Sequence, residues 1–269
     1  MAEFFDVRMR GFEGKTPVEQ VVRLLRERVQ TNTKTETVAL SSARGRILAT
    51  DIVAAVSVPH FDRSAFDGYA VRSVDTSKLP ASLKVIGQAL PNRPFTGVVQ
   101  TGEAVRIMTG APMPLGADAV LPAEQAEEAD DIVIGSLTMT KGKNVGHIGE
   151  DIKAGQTVLK AGRQLRPQDV GLLASIGIGE VLVVCKPKVG VLITGEELLP
   201  PGSQPQGFQI VDSNSVMLRG LIERDGGVPH GTWRIPDHVH ALRATFLATN
   251  WDVLLVSGGT SVGVEDLAP

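Results

Sequence analysis

Cysteine is nearly absent from this chain, aromatics are scarce, and long apolar runs and a surplus of positive charge are missing. The single Cys185 among 269 residues excludes an internal disulfide and suits a reducing compartment. No apolar run approaches the ~18 residues of a membrane span. The first residues, MAEFFDVRMRG, contain no signal-peptide core, so a cytoplasmic protein without a membrane association is expected. Lys and Arg number 27 against 30 Asp and Glu, a formal charge of −3. Nucleic-acid surfaces need a basic face, so that class of partner is not expected, and any anionic ligand must be held by local donors. Internal repeats and low-complexity tracts are also missing. What is present is an ordinary soluble composition, 42% apolar and 21% charged. The length exceeds the roughly 250 residues at which single cores stop growing, so more than one domain is expected.

The densest chemistry lies in Val58 to Val71, VPHFDRSAFDGYAV. Asp62 and Asp67 flank Arg63 and Ser64, and Phe61, Phe66 and the chain's only tyrosine, Tyr69, are interleaved with them. Aromatics can anchor such a loop while short acids bind a cation or a polar ligand. A surface turn capped by Asp62 and Ser64 accounts for the same spacing.

Around this stretch, Thr16-Pro17-Val18-Glu19 reads as a helix start with Thr as the N-cap. Val18, Val21, Val22, Leu25 and Val29 then form one packing face. A short helix is expected near Ser42, with Ile47 and Leu48 pointing inward, and a strand over 52–58. From about Leu83 to Val133, short β-prone runs (83–86, 104–108, 117–121 and 132–134) alternate with Pro and Gly, predicting a small antiparallel barrel or sandwich. Thr109-Gly110-Ala111-Pro112 follows one of these strands, where a hydroxyl and free N–H groups could hold an anionic oxygen. A plain turn reads equally well there. Gly149-Glu150-Asp151 sits in a polar, Gly-rich segment, either as a metal ligand or as a solvated loop. A helix is expected from Arg166 to about Gly177.

Beyond Pro187 the pattern becomes strand (189–193), helix (to about 224), strand (232–235), helix (237–248), strand (251–256), as in doubly wound α/β sheets. Ligands bind such sheets beyond the carboxyl ends of the strands. That rule selects Thr194-Gly195-Glu196-Glu197 and the loop Ser257-Gly258-Gly259-Thr260-Ser261, which is rich in Gly and hydroxyls and suits a phosphate. It is neither a Walker A loop nor GxGxxG.

FDRSAFDGYAV closely resembles the signature loop of MoeA-type molybdopterin molybdenumtransferases, a family related to the E domain of gephyrin. RIMTGAPMPLGADAV from Arg106, GEDI from Gly149 and VSGGTSVGVED from Val256 agree with that family in the same order. The resemblance implies a multi-domain α/β plus β fold. Residues 1–48 and 144–184 would form an elongated central domain, 49–143 an inserted antiparallel β-barrel-like domain carrying the signature loop, and 185–269 an incomplete doubly wound MogA-like domain binding molybdopterin.

The implied reaction inserts molybdate into adenylylated molybdopterin, with Mg²⁺ assisting and AMP released. The resemblance assigns catalytic roles to Asp67, Asp151, Glu197 and Asp237. It assigns metal binding to Asp67, Asp151 and Asp266, and substrate binding to Thr109, Thr194, Gly195, Ser257, Gly258, Gly259 and Ser261. It also implies a homodimer with a composite active site, and a molybdopterin adenylyltransferase as a partner. Two other functions fit the same resemblance: a scaffold of the gephyrin type, and a pterin binder like the adenylyltransferases. Three departures stand out. Gly146, His147 and Ile148 occupy positions where many relatives carry Arg before GED, with Lys141 and Lys143 as nearby substitutes. Family members also continue past the position of Pro269, so a C-terminally truncated member is expected, with motifs needed for activity further on. Val264 stands where relatives often have Glu, with Glu265 beside it.

Overall fold

The computed structural model describes residues 14–29, 33–248 and 250–259. In chain order it contains α1 (Val18–Arg28), β1 (Thr35–Ala39), β2 (Ile52–Val53), β3 (Arg63–Ser64) and β4 (Gly68–Val71). Next come β5 (Ala81–Ala89), β6 (Glu103–Ile107), β7 (Ala119–Pro122), β8 (Ala126–Ala129), β9 (Ile132–Gly135), β10 (Val145–Gly146) and β11 (Thr157–Leu159). The rest is α2 (Pro167–Ser175), β12 (Glu180–Val184), β13 (Lys188–Thr194), β14 (Leu198–Leu199), β15 (Ile210–Val211), α3 (Asn214–Arg224), β16 (Val228–Ile235), α4 (Val239–Leu247) and β17 (Val253–Ser257). The chain divides into two compact units, one of residues 50–163 and 167–179, the other of 1–49, 164–166 and 180–269.

The first of these units is built on a six-stranded sheet of order β7-β4-β6-β5-β9-β8. Neighbours run antiparallel except β5 and β6, which are parallel. The expected all-antiparallel pairing is thus corrected to a mixed sheet. The Pro-containing connection from Leu90 to Gly102 is long enough for the crossover that parallel neighbours require. Side chains alternate between two cores, as a period of two dictates. Ala104 joins Val71, Leu83, Leu121 and Val133, while Val105 joins Ala70, Ile107 and Val120. Gly68 is required where β4 meets β7, because a Cβ there would lie 2.0 Å from the Leu121 carbonyl oxygen. Two short antiparallel pairs, β3 with β10 and β2 with β11, tie the segment around Arg63 to the chain beyond Lys143. Of the strand expected over 52–58, only Ile52–Val53 forms one, and Val58 makes an isolated bridge to Ile152.

In the other unit β1 pairs antiparallel with β12, and β13 lies between β16 and β17 in a parallel sheet. The apolar run of β13 is buried from Val189 to Thr194, as expected of a central parallel strand. Val189, Val191 and Ile193 pack against Ile222 and Leu218 of α3. Trp233 and Trp251 meet at 4.8 Å near Gly190, where an added Cβ would fall 2.9 Å from one ring and 3.3 Å from the other. α1 begins one residue later than expected, after Pro17, and no side chain caps it. Its apolar stripe is real, yet none of its residues is buried and Val18 is 72% exposed. Ile47 is exposed while Leu48 is fully buried, so only one of that pair points inward. No helix among the described residues is long and apolar enough to cross a membrane.

Candidate functional site

Two groups of candidate residues form, one in each unit. The first is built by β3, β4 and the turn after β6. The Asp67 carboxylate projects just before β4 and is exposed. One oxygen, Oδ1, accepts both the backbone N–H and the hydroxyl of Thr109, each at 2.7 Å. Hydrogen bonds to the ionised form favour it. The backbone N–H of Thr109 first, and its hydroxyl second, hold Asp67 below the usual carboxylate range. The N–H donors expected to be free in the Thr109 turn are engaged within the protein. Thr109 donates to Asp67, Gly110 to the Ser64 carbonyl at 2.8 Å and Ala111 to the Met108 carbonyl at 2.9 Å.

The GED turn lies against the same loop. Gly149 donates to the Pro59 carbonyl at 2.9 Å and Asp151 to the Val58 carbonyl at 3.0 Å. The Asp151 carboxylate is exposed and sits 3.8 Å from the Arg63 guanidinium. Asp62 accepts the Ile148 N–H at 2.9 Å and has His147 Nδ1 at 3.5 Å from its other oxygen. Asp62, Asp118, Lys141 and His147 line a cavity of about 480 Å³ with Met113 and Val145. So two of the residues standing near the missing arginines face one cavity beside the signature loop. That grouping was not legible from sequence, because Lys141 and His147 are separated by a turn that only the fold closes.

The second group occupies the carboxyl edge of the parallel sheet. The register sets Thr194 opposite Ile235 and Ile193 opposite Ser257, so all three strands end together. Thr194, Gly195, Ser257, Gly258, Gly259 and Asp237 therefore share this edge. The Thr194 hydroxyl is buried and has no hydrogen-bond partner among the described residues. Gly258 approaches it so closely that a Cβ would lie 2.7 Å from Thr194 Oγ1. Gly195 is overlaid by the Glu197 carboxylate, whose two oxygens would each be 2.9 Å from an added Cβ. The reading of sequence missed Asn214, whose Nδ2 donates to Ser257 Oγ at 3.0 Å and ties the start of α3 to this edge. The only signal for it was the run Asp212-Ser213-Asn214-Ser215, residue types that favour helix N-termini. Asp212 is buried and accepts from Ser215 and from the Arg234 guanidinium. Burial opposes its charge, but Ser215 and then Arg234 outweigh that and leave Asp212 below its ordinary range. Ser261 and Asp266, with Val264 and Glu265, lie outside the described residues.

Among the described residues no group of three or more His, Cys, Asp or Glu is arranged to hold a metal ion. Mg²⁺ does not need such a group. It keeps several waters and binds through one or two carboxylates together with substrate phosphates. Asp67, with its second oxygen left over by Thr109, and the exposed Asp151 fit that donor set.

Comparison with known proteins identifies relatives of this chain. The family described as MoeA N-terminal region (domain I and II) matches residues 16–177, and the probable molybdopterin binding domain matches 190–269. A molybdopterin molybdenumtransferase of Haemophilus influenzae is 39% identical over 252 residues, which is 93% of this chain and 62% of the relative. Molybdopterin molybdenumtransferase 2 of Mycobacterium tuberculosis is 39% identical over 237 residues, 86% of this chain and 58% of the relative. The chain thus spans about three fifths of the length of these curated relatives. The crystal structure of the molybdopterin biosynthesis moeA protein from Pyrococcus horikoshii superposes with a TM-score of 0.84 at 37% identity. It covers 91% of this chain and 67% of that one. A family match over most of the chain and a solved structure with the same fold lead to one assignment: this chain belongs to the MoeA family.

Proposed function

We propose that this chain takes part in molybdenum cofactor biosynthesis, as the protein part that inserts molybdate into adenylylated molybdopterin and releases AMP. The observation that carries this reading is the Asp67–Thr109 pair. Two sequence blocks that resemble the family meet there and fix an ionised carboxylate at the protein surface. An acid that Thr109 holds in its ionised form can orient a hydrated cation at this position. Asp67 and Asp151 would hold Mg²⁺. Bound there, the ion would offset the charge of the substrate phosphate. Thr194, Gly195, Ser257, Gly258, Gly259 and Ser261 would bind the pterin and its phosphate at the carboxyl edge. The buried, unpartnered Thr194 hydroxyl supports this, since a ligand oxygen can satisfy it. Glu197 and Asp237, as acceptors, would orient water and the N–H donors of the pterin. In this reading the protein acts as a homodimer and receives its substrate from a molybdopterin adenylyltransferase.

The test is molybdate-dependent release of AMP from adenylylated molybdopterin with Mg²⁺, read alongside activation of an apo-molybdoenzyme. Asp67→Asn is expected to lower the rate by about a hundredfold or more while leaving the fold intact. Release at the unsubstituted rate by a well-folded Asp67→Asn protein would remove Asp67 from the mechanism.

A further inference from the structure

At the amino edge of the parallel sheet, opposite to the edge described above, β12, β13 and β17 begin or end around a second cavity. It measures about 390 Å³ and is lined by Lys34, Lys186, Lys188 and His230, with Trp251 and Asp252 among the remaining residues. The scaffold is regular. Cys185 donates to the Lys34 carbonyl at 2.9 Å, which joins the start of β1 to the end of β12. Lys188 opens β13, and His230 is the third residue of β16. Asp252 is the one carboxylate among the described lining residues, and it also braces the backbone. Its Oδ2 accepts the Lys188 N–H at 2.8 Å, and its own N–H donates to the Lys188 carbonyl at 2.8 Å. Among the described residues no carboxylate forms an ion pair with the side chain of Lys186 or Lys188. Trp251 is half-buried and packs at a tilt of 59° against Trp233, which holds it as a planar wall.

Lys186, Lys188 and His230 share this cavity with one carboxylate, Asp252, so among the described lining residues the basic side chains outnumber the acid. Like charges brought together cost energy unless an anion offsets them. Lysine binds phosphate as a point charge, and an aromatic wall binds a planar ring. We propose that this cavity is a binding site for a small phosphate monoester carried on a planar ring, of the size of a nucleoside monophosphate, separate from the carboxyl edge.

Trp233 and Trp251 are the chain's only tryptophans, so intrinsic tryptophan fluorescence reads this cavity directly. The probe is UMP, with uridine and inorganic phosphate as controls. UMP is expected to change the fluorescence saturably and to bind more tightly than either control. Lys186→Glu/Lys188→Glu should weaken UMP about tenfold or more. The charge-matched Lys78→Glu/Lys84→Glu, in the other unit, should keep the unsubstituted affinity. Should the first double variant fail to show native circular dichroism, Lys186→Gln/Lys188→Gln takes its place. Absence of saturation, uridine binding as tightly as UMP, or equal losses in both double variants would overturn the proposal.

Discussion

Thr109 commits both of its donors to one oxygen of Asp67, and this sets the charge of the carboxylate. A depressed folded-state pKa means that the contribution of Asp67 to stability is present above the ordinary Asp range. It is lost as pH falls through the lowered folded value. Carbon NMR of the Asp67 carboxyl should therefore show a midpoint below that of a free aspartate. Thr109→Val, which removes the hydroxyl and keeps the N–H, should raise the midpoint part of the way; an unchanged midpoint would mean that the hydroxyl contributes nothing. Gly68 makes a second prediction at this scale. Its Cβ would meet backbone rather than a movable side chain, so Gly68→Ala should destabilise the protein by about 3 kcal/mol in urea unfolding. Asp67 was legible in the sequence because it stands in a dense motif. Its partner was not, because Thr109 lies 42 residues away and only the pairing of β4 with β6 brings the two together.

Between elements, the edge strand β8 is fastened to the middle of its sheet by side chains. Arg106 of β6 grips Glu128 through two hydrogen bonds, one of them Nε to Oε2 at 2.9 Å, and Tyr69 of β4 donates to Glu128 at 2.6 Å. Burial first, and Glu128 second, push Tyr69 up to about 12. The neutral phenol is thus favoured in the folded protein. Its contribution to stability is complete below the ordinary Tyr range and is lost as pH rises toward about 12. Because Tyr69 is the only tyrosine, its absorbance titration is unambiguous, and Glu128→Ala should lower the midpoint toward 10 without reaching it. In the other unit Asp212 links α3 to β16, with its side chain 1% exposed and Arg234 at 2.7 Å. Removing one partner of a buried pair leaves the other uncompensated, so Asp212→Ala should cost about 3 kcal/mol in chemical denaturation.

The elements themselves were unevenly legible. β13 was plain, since an unbroken apolar run fits a strand buried on both faces. β8 was invisible, because Ala-Glu-Glu-Ala has no β-prone residue and owes its strand state to pairing with β9. The parallel pairing of β5 with β6 had no local signal at all. The stripe on α1 forms as expected, but the expected packing does not, since none of the helix is buried and a sequence does not say what covers such a face.

For the whole molecule, the division into two units predicts that unfolding is not a single two-state event. Both tryptophans lie in the unit of the parallel sheet, and the tyrosine lies in the unit of the six-stranded sheet. Tryptophan fluorescence and tyrosine absorbance should therefore report different denaturant midpoints. Gly68→Ala should move the tyrosine transition alone, and Asp212→Ala the tryptophan transition alone. Coincident curves for every variant would show the two units to be one cooperative body. The pairing of β1 with β12 has a further consequence during synthesis on the ribosome. Thr35 to Ala39 must wait for Glu180 to Val184, and at roughly 5–20 residues per second that delay is on the order of ten seconds. The six-stranded sheet is fully translated within that interval. The first strand to emerge is thus among the last to find its partner, and stalled nascent chains of increasing length should gain protease resistance in 50–163 before they gain it at 35–39.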